Sequence, residues 1–230
     1  MLNAAIVATG FTSAVFLISH LGLSSAAVRG WLVQRIGEKG FQGLYALIAL
    51  LTLGTMIAAY IQASHFLYLW PPGPGVRHLP LLMMPVALLL VVGGMMIPNP
   101  SAVGMENQLD QPEPARGVLR ITRHPVMWGV MLWAAVHILA NGDLASLLFF
   151  GGLLLTALLG SLHLDRRMAA EQGERWRRFT AVTSYVPFAA VLSGRQTVHW
   201  TELRRPAVWG LGAFIGLLLL HPYLFGVRPY

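Results

Sequence analysis

No cysteine occurs anywhere in the chain. That removes disulfides, thiolate nucleophiles, iron–sulfur clusters and thiolate-ligated haem or zinc. Any metal held here rests on His, Met, Tyr or carboxylate ligands. Acidic residues are scarce too, nine Asp and Glu against sixteen Lys and Arg in 230 residues, and none falls deep inside an apolar run. A proton-coupled transporter places Asp or Glu within the membrane, so this scarcity argues against that class and against a carboxylate-rich di-metal site. Charged residues are 11% of the chain and hydrophobic ones 56%, which excludes an ordinary soluble domain.

What is present is arranged for a bilayer. Charge-free runs cover residues 1–28, 40–76, 78–105, 124–142, 144–164 and 206–227, each at least 19 residues long. An α-helix needs about 20 residues to cross ~30 Å of hydrocarbon, and helices leave no backbone group unpaired in lipid. The expected fold is an all-α, polytopic membrane helix bundle of about six transmembrane helices, near residues 4–22, 42–62, 80–97, 125–140, 144–163 and 206–222. A single membrane domain, 1–230, contains them all. With both termini on the non-cytoplasmic side, the cytoplasmic loops are about 24–40, 98–125 and 165–205. Fourteen of the sixteen basic residues then lie inside, leaving Arg77 and Arg228 outside, as the positive-inside rule requires. The net charge of +7 is thereby explained by topology and contact with anionic lipid, not by nucleic-acid binding. Met1-Leu2-Asn3 has no basic n-region, so no cleavable signal peptide is expected.

Several segments have a character of their own. Residues 26–41 carry Val28, Trp31, Leu32, Ile36 and Phe41 at helical spacing between Arg29, Arg35 and Lys39, the pattern of an interfacial helix. The stretch from Pro98 to Arg116 is the longest non-apolar segment, and such loops are often functional or mobile. The stretch Tyr185–Leu192 is too short to span and reads as buried or re-entrant. Gly-rich helix faces permit a homo-oligomer without demanding one.

The intramembrane polar residues are histidines, and an ionisable group in the membrane is a functional hypothesis by default. His20, His137 and His163 lie within spans, and His124 lies at the mouth of the 125–140 helix, just before Pro125, where backbone donors gather. His65, His78, His199 and His221 fall in loops or at interfaces. Two buried imidazoles from different helices suit the axial positions of haem b, with the porphyrin in an apolar cleft. They suit equally well plain hydrogen bonds between helices. If the first helix starts near residue 4, His20 lies near its inner end and His137 near mid-membrane. Sharing one iron then requires the first helix to shift, tilt or run on toward Arg29.

Several linked motifs point to a family. They are His20-Leu-Gly-Leu-Ser-Ser25, Ile36-Gly-Glu-Lys39, the run Gly117–Gly129 (GVLRITRHPVMWG), Val136-His137, Asp165-Arg166-Arg167 with Gly173-Glu174, the run Tyr185–Gln196 (YVPFAAVLSGRQ), and His221-Pro222. Together they resemble the NnrU family, the group that includes the plant 15-cis-ζ-carotene isomerase, over about residues 15–225. The resemblance implies haem b with His20 and His137 as axial iron ligands, and cis–trans isomerisation of a hydrophobic polyene of the carotenoid class. With His124 these form the expected catalytic set. At the inner rim, Arg120, Arg123, Arg166 and Arg167 with Asp165 are the expected cofactor-binding residues, the arginines facing the haem propionates. NnrU-type proteins are also associated with nitric oxide and nitrite metabolism in denitrification, which makes a haem-containing accessory, sensor or electron-transfer protein handling nitric oxide the alternative. A bacterial inner membrane is the expected location. The Arg-His-Pro element is also similar to that of membrane methyltransferases using S-adenosylmethionine, which makes such a methyltransferase the second alternative. There an acidic cluster follows, where this chain has Asp165-Arg166-Arg167, and a sulfonium fares badly beside two arginines.

Overall fold

A computed structural model describes residues 3–102 and 104–229. In chain order its helices are α1 (Ala4–Ser24), α2 (Ala26–Gln62), α3 (Pro74–Arg77), α4 (Leu79–Met96), α5 (Pro125–Asn141), α6 (Leu144–Gln172), α7 (Glu174–Val182), α8 (Ala189–Leu192) and α9 (Trp200–Phe225). Two 3₁₀ turns, Glu106–Asp110 and Gly117–Arg120, lie between α4 and α5. By length and composition five segments can cross a membrane: Ala4–Ser24, Ala26–Gln62, Pro74–Met96, Leu144–Gln172 and Trp200–Phe225. Pro125–Asn141 is apolar but shorter, at 17 residues. The chain is thus an all-helical membrane protein, with α5 as the sixth apolar helix.

Local chemistry explains most of the boundaries. Asn3 caps α1 by accepting from the Ile6 amide at 2.9 Å, as N-cap side chains do. The interfacial segment and the second span are merged in α2, bent at Gly37, whose φ of 74° is open to glycine but strained for a side chain. Arg29 closes that bend, holding both oxygens of Glu38 at 2.8 and 2.9 Å. The span that starts at Leu144 continues into the charged segment as far as Gln172.

The chain forms two compact units, residues 1–77 with 134–163, and residues 78–133 with 164–230. In the first, α1 and the first half of α6 pack closely in parallel. A Cβ at Gly152 would meet the Ser13 Cβ at 2.9 Å, and further along His163 Nε2 donates to the Ser24 carbonyl at 2.9 Å. Ile6, Ala63 and Ala145 form the buried core at the other end, where the Tyr60 ring stacks on Phe149 at 4.4 Å. The second unit is built on α4 and α9. A Cβ at Gly210 would come within 3.0 Å of Leu89 Cα, and one at Gly94 within 2.8 Å of Pro125. Small residues let helices approach this closely in lipid. Leu90, Val118, Ile121 and Leu203 fill its core. Phe11, Leu50, Leu82 and Val208 are largely exposed, as lipid-facing side chains are.

In the first unit the segment after α2 is fastened to the turn between α5 and α6. Leu69 N donates to Gly142 O at 2.9 Å and Leu144 N to Leu67 O at 3.0 Å. Asp143 caps α6 by accepting from Ser146 N at 2.9 Å and from Ser146 Oγ at 2.6 Å. His65 Nδ1 bonds Asp143 Oδ1 at 3.1 Å. That hydrogen bond raises the His65 pKa above its ordinary 6.5 against the opposing effect of burial. Burial pushes Asp143 up, but the bonds from His65 and Ser146 outweigh it, so its net shift is down from 3.8.

Two outcomes are expected. The His65 contribution is whole below pH 6.5 and is lost as pH rises through its raised value. The Asp143 contribution is whole above its ordinary value and is lost only as pH falls through the lowered one. Hydrogen–deuterium exchange, corrected for intrinsic rate, should therefore show the Leu69 and Leu144 amides better protected at pH 5.5 than at pH 8.5. His65→Gln should remove the difference. Separately, Gly152→Val should cost about 1–3 kcal/mol, the scale of overpacking a tight core, and lower the melting temperature followed by circular dichroism in detergent.

Candidate functional site

The clearest constellation lies in the second unit, where Arg123, His124 and Asp165 meet. Pro125 opens α5, so His124 stands immediately before the helix with its side chain 2% exposed. The segment leading to it is fixed from both sides. Gly117 N donates to Glu202 Oε2 at 2.5 Å, and Arg120 grips the same carboxylate at 3.0 and 3.1 Å while reaching Gln196 Oε1 at 2.9 Å. Residues 121–123 are then stapled to residues 184–188. Phe188 N donates to Ile121 O at 2.8 Å, Arg123 N to Ser184 O at 3.0 Å, and Thr122 Oγ1 to Tyr185 O at 2.7 Å. Trp128 Nε1 donates to that same Tyr185 carbonyl at 2.8 Å. The 185–192 stretch, expected to be buried or re-entrant, thus clamps the Arg-His-Pro element in place while Val186, Phe188 and Leu192 stay exposed.

Asp165, one turn beyond the most apolar part of α6, accepts from His124 Nε2 at 2.6 Å and from Arg123 Nε at 3.0 Å, with a further ion pair to Arg123 Nη2. A carboxylate held by a guanidinium stays ionised and only accepts, so in the neutral imidazole the proton sits on Nε2 and Nδ1 carries the lone pair. The Tyr185 ring stands edge-on to His124 at 5.5 Å, with the Arg123 guanidinium 5.8 Å from its centre. His124 forms part of the wall of a cavity of about 310 Å³, otherwise lined mainly by apolar side chains from the end of α4, the loop after it and the start of α5.

The arginines expected at haem propionates are mostly engaged otherwise. Arg120 is neutralised by Glu202 and Arg123 by Asp165. Arg167 has only Glu171, at 3.9 Å, and its Nε is buried without a partner. Arg166 is exposed. All four, with Asp165 and His124, belong to the second unit, and His20 and His137 to the first.

In the first unit His20 is half-buried, its Nδ1 donating to the Phe16 carbonyl at 2.7 Å, with its ring 4.0 Å from that of Phe16 and 5.4 Å from that of Tyr45. A backbone carbonyl on Nδ1 fixes the tautomer that leaves Nε2 for a metal, the usual arrangement of a ligand histidine. His137 is half-buried with its ring 5.0 Å from Phe150. His163 is committed to the Ser24 carbonyl. The contacts Ser13–Gly152 and Ser24–His163 keep one register between α1 and α6. That register sets His20 opposite Leu159, nine residues and about 13 Å along the axis from Phe150, at ~1.5 Å per residue. The two imidazoles thus stand at different levels along α6. Among the described residues no group of three or more His, Asp or Glu is gathered as a metal site.

Sequence reasoning singled out Arg123, His124 and Asp165, and the structure joins them. It missed Asn99 and Ser101 on the cavity wall and Glu202 at Arg120, and it named Tyr185 and Gln196 only as the ends of a family motif. The Asn-Pro-Ser turn within the long 98–116 loop was the available signal for the first two.

Comparison with known proteins places the chain in a family. A chloroplastic 15-cis-zeta-carotene isomerase of Arabidopsis thaliana is 30% identical over 224 residues, 92% of this chain and 59% of that protein. The Zea mays protein of the same name is 34% identical over 112 residues, 47% of this chain and 31% of its own length. The chain therefore spans at most about three-fifths of the curated relatives it matches. No solved structure matches. The family described as NnrU protein matches residues 10–229, and with the Arg-His-Pro element, the Asp165 contact and the 185–196 clamp all inside that match, the chain belongs to the NnrU family.

Proposed function

We propose that this protein is a membrane isomerase that turns a cis double bond of a long hydrophobic polyene, of the carotenoid class, to trans. The observation that carries the reading is the 30% identity to a named isomerase across 92% of the chain. The helices support it, since a hydrocarbon substrate reaches a protein with apolar outer faces directly from the bilayer. The reaction moves no proton, and no carboxylate is needed inside the apolar stretches. By the same lopsided distribution of arginines and lysines, the termini face away from the cytoplasm.

Haem b enters this proposal through His20. Phe16 O holds the His20 ring through Nδ1, so Nε2 is the atom that would hold a haem. A bound haem would supply electron density to the double bond and so lower its barrier to rotation. The chain's own part is to orient the imidazole, through Phe16 and Tyr45, and to keep water out with the apolar side chains of α1 and α2. His137, at the level of Phe150, is a wall residue of the same unit in this register.

The test has two readouts. In host cells that accumulate 15-cis-ζ-carotene, the protein should lower the 15-cis fraction, and His20→Ala should reduce conversion by about tenfold or more, the scale of loss when a metal site is disturbed. Purified protein should show haem bands in a reduced-minus-oxidised spectrum that His20→Ala abolishes and His137→Ala leaves in place. Unchanged carotenoids beside a haem-replete protein would sink the isomerase reading. Low-spin bis-histidine bands lost equally in both variants would show instead that α1 slides along α6 to bring the two imidazoles together.

A further inference from the structure

The cavity beside His124 contains more polar capacity than the protein uses. Asn99 and His124 are 8% and 3% exposed, and both line the cavity. Asn99 Oδ1 accepts from the Ser101 amide at 2.9 Å, which fixes the orientation of its amide and leaves Nδ2 with no acceptor among the described residues. His124 Nε2 is committed to Asp165, and Nδ1 has no hydrogen bond among the described residues. The unpaired side-chain atoms sealed from any surface are Ser13 Oγ and Arg167 Nε, so both nitrogens open onto the space they line. Ser101 ties the two residues together, its Oγ donating to the Arg123 carbonyl at 3.3 Å. Two polar atoms without a partner among the described residues thus share one cavity.

Their chemistry is complementary and specific. Nδ2 is a donor and Nδ1, with the proton held on Nε2 by Asp165, is an acceptor. A hydroxyl satisfies both at once, accepting from Asn99 and donating to His124. A carboxylate has no proton for Nδ1 and would lie beside the Asp165 charge. Apart from Gly94, Ser101 and Ala102, the rest of the wall is Met95, Ile97, Met105, Val126, Met127 and Leu164, an apolar lining whose methionines adapt to a flexible chain. At ~30 Å³ per water-sized group, a cavity of about 310 Å³ holds about ten heavy atoms. It lies where the apolar residues of α4 end at Met96 and α5 begins at Pro125.

We propose that this cavity binds the head and first carbons of a long-chain alcohol from the bilayer, its hydroxyl bridging Asn99 Nδ2 and His124 Nδ1. The site is separate from the isomerase reading, since a polyene hydrocarbon carries no hydroxyl, and it stands whether or not that activity is found.

The test uses the full chain in nanodiscs, with imidazole nitrogens followed by ¹⁵N NMR. The His124 Nδ1 resonance is identified by its disappearance in His124→Gln. Added 1-decanol should move it saturably, whereas decane should leave it in place and decanoate should move it far less. Asn99→Ala should weaken decanol binding by about three- to tenfold, as loss of one neutral hydrogen bond does, with the His163 resonance unchanged as the check on folding. An equal response to decane, no response to decanol, or tighter binding of decanoate would overturn the proposal. The first two would leave the cavity to hydrocarbon or water, and the last would assign it to an acid. Each is read on the unaltered chain, so none of the three depends on the variant folding.

Discussion

Hydrocarbon offers no partner to a polar group, and the chain answers that constraint residue by residue. The hydroxyls of Thr9, Thr12, Thr52, Thr156 and Ser161 each bond a carbonyl one turn back in their own helix. His163 commits its ring to the Ser24 carbonyl, and His20 to that of Phe16. Charges are gathered at the helix ends, where Asp165 serves Arg123 and His124 together and Glu202 serves Arg120. Against so full a pairing, the few polar atoms left over carry information. Asn99 Nδ2 and His124 Nδ1 stand out because they share one cavity.

The close packing of α1 on α6 has the same standing for the first unit. Because Gly152 has no side chain, Ser13 comes against it, and that contact sets the level of His20 along α6. His20 lies near the Leu159 end and His137 near Phe150, with Tyr60, Phe149 and Phe150 forming an aromatic block beside the latter. An imidazole's usefulness as a ligand thus depends here on helix register as much as on its own surroundings.

The parts of the fold that follow from one residue's chemistry were legible in the sequence. Charge-free runs marked the apolar helices, and Pro125 marked the start of α5. Features that depend on residues far apart in the chain were not. Gly37 fuses an interfacial segment to a span by adopting a backbone angle that no periodicity announces. Residues 121–123 meet 184–188 through backbone hydrogen bonds, which side-chain patterns do not encode. The arginines at the inner rim looked available for an anion because Glu202 is 82 positions from Arg120 and Asp165 is 42 from Arg123. The Arg-His-Pro element with Asp165 was readable as a unit only through family resemblance, and the polar wall at Asn99 showed only as an Asn-Pro-Ser turn.

The grip of Glu202 on Arg120 also sets an order of events during synthesis. Arg120 is 6% exposed, and its other carboxylate neighbour, Glu113, lies 3.6 Å away on a largely exposed side chain. A buried guanidinium whose close counter-charge is missing is strongly destabilising, by about 3–5 kcal/mol. Until the ribosome has delivered the start of α9, the turn at Gly117–Arg120 lacks the carboxylate that holds it shut. The last helix is the latch of the inner rim, and a nascent chain halted before it leaves that rim open.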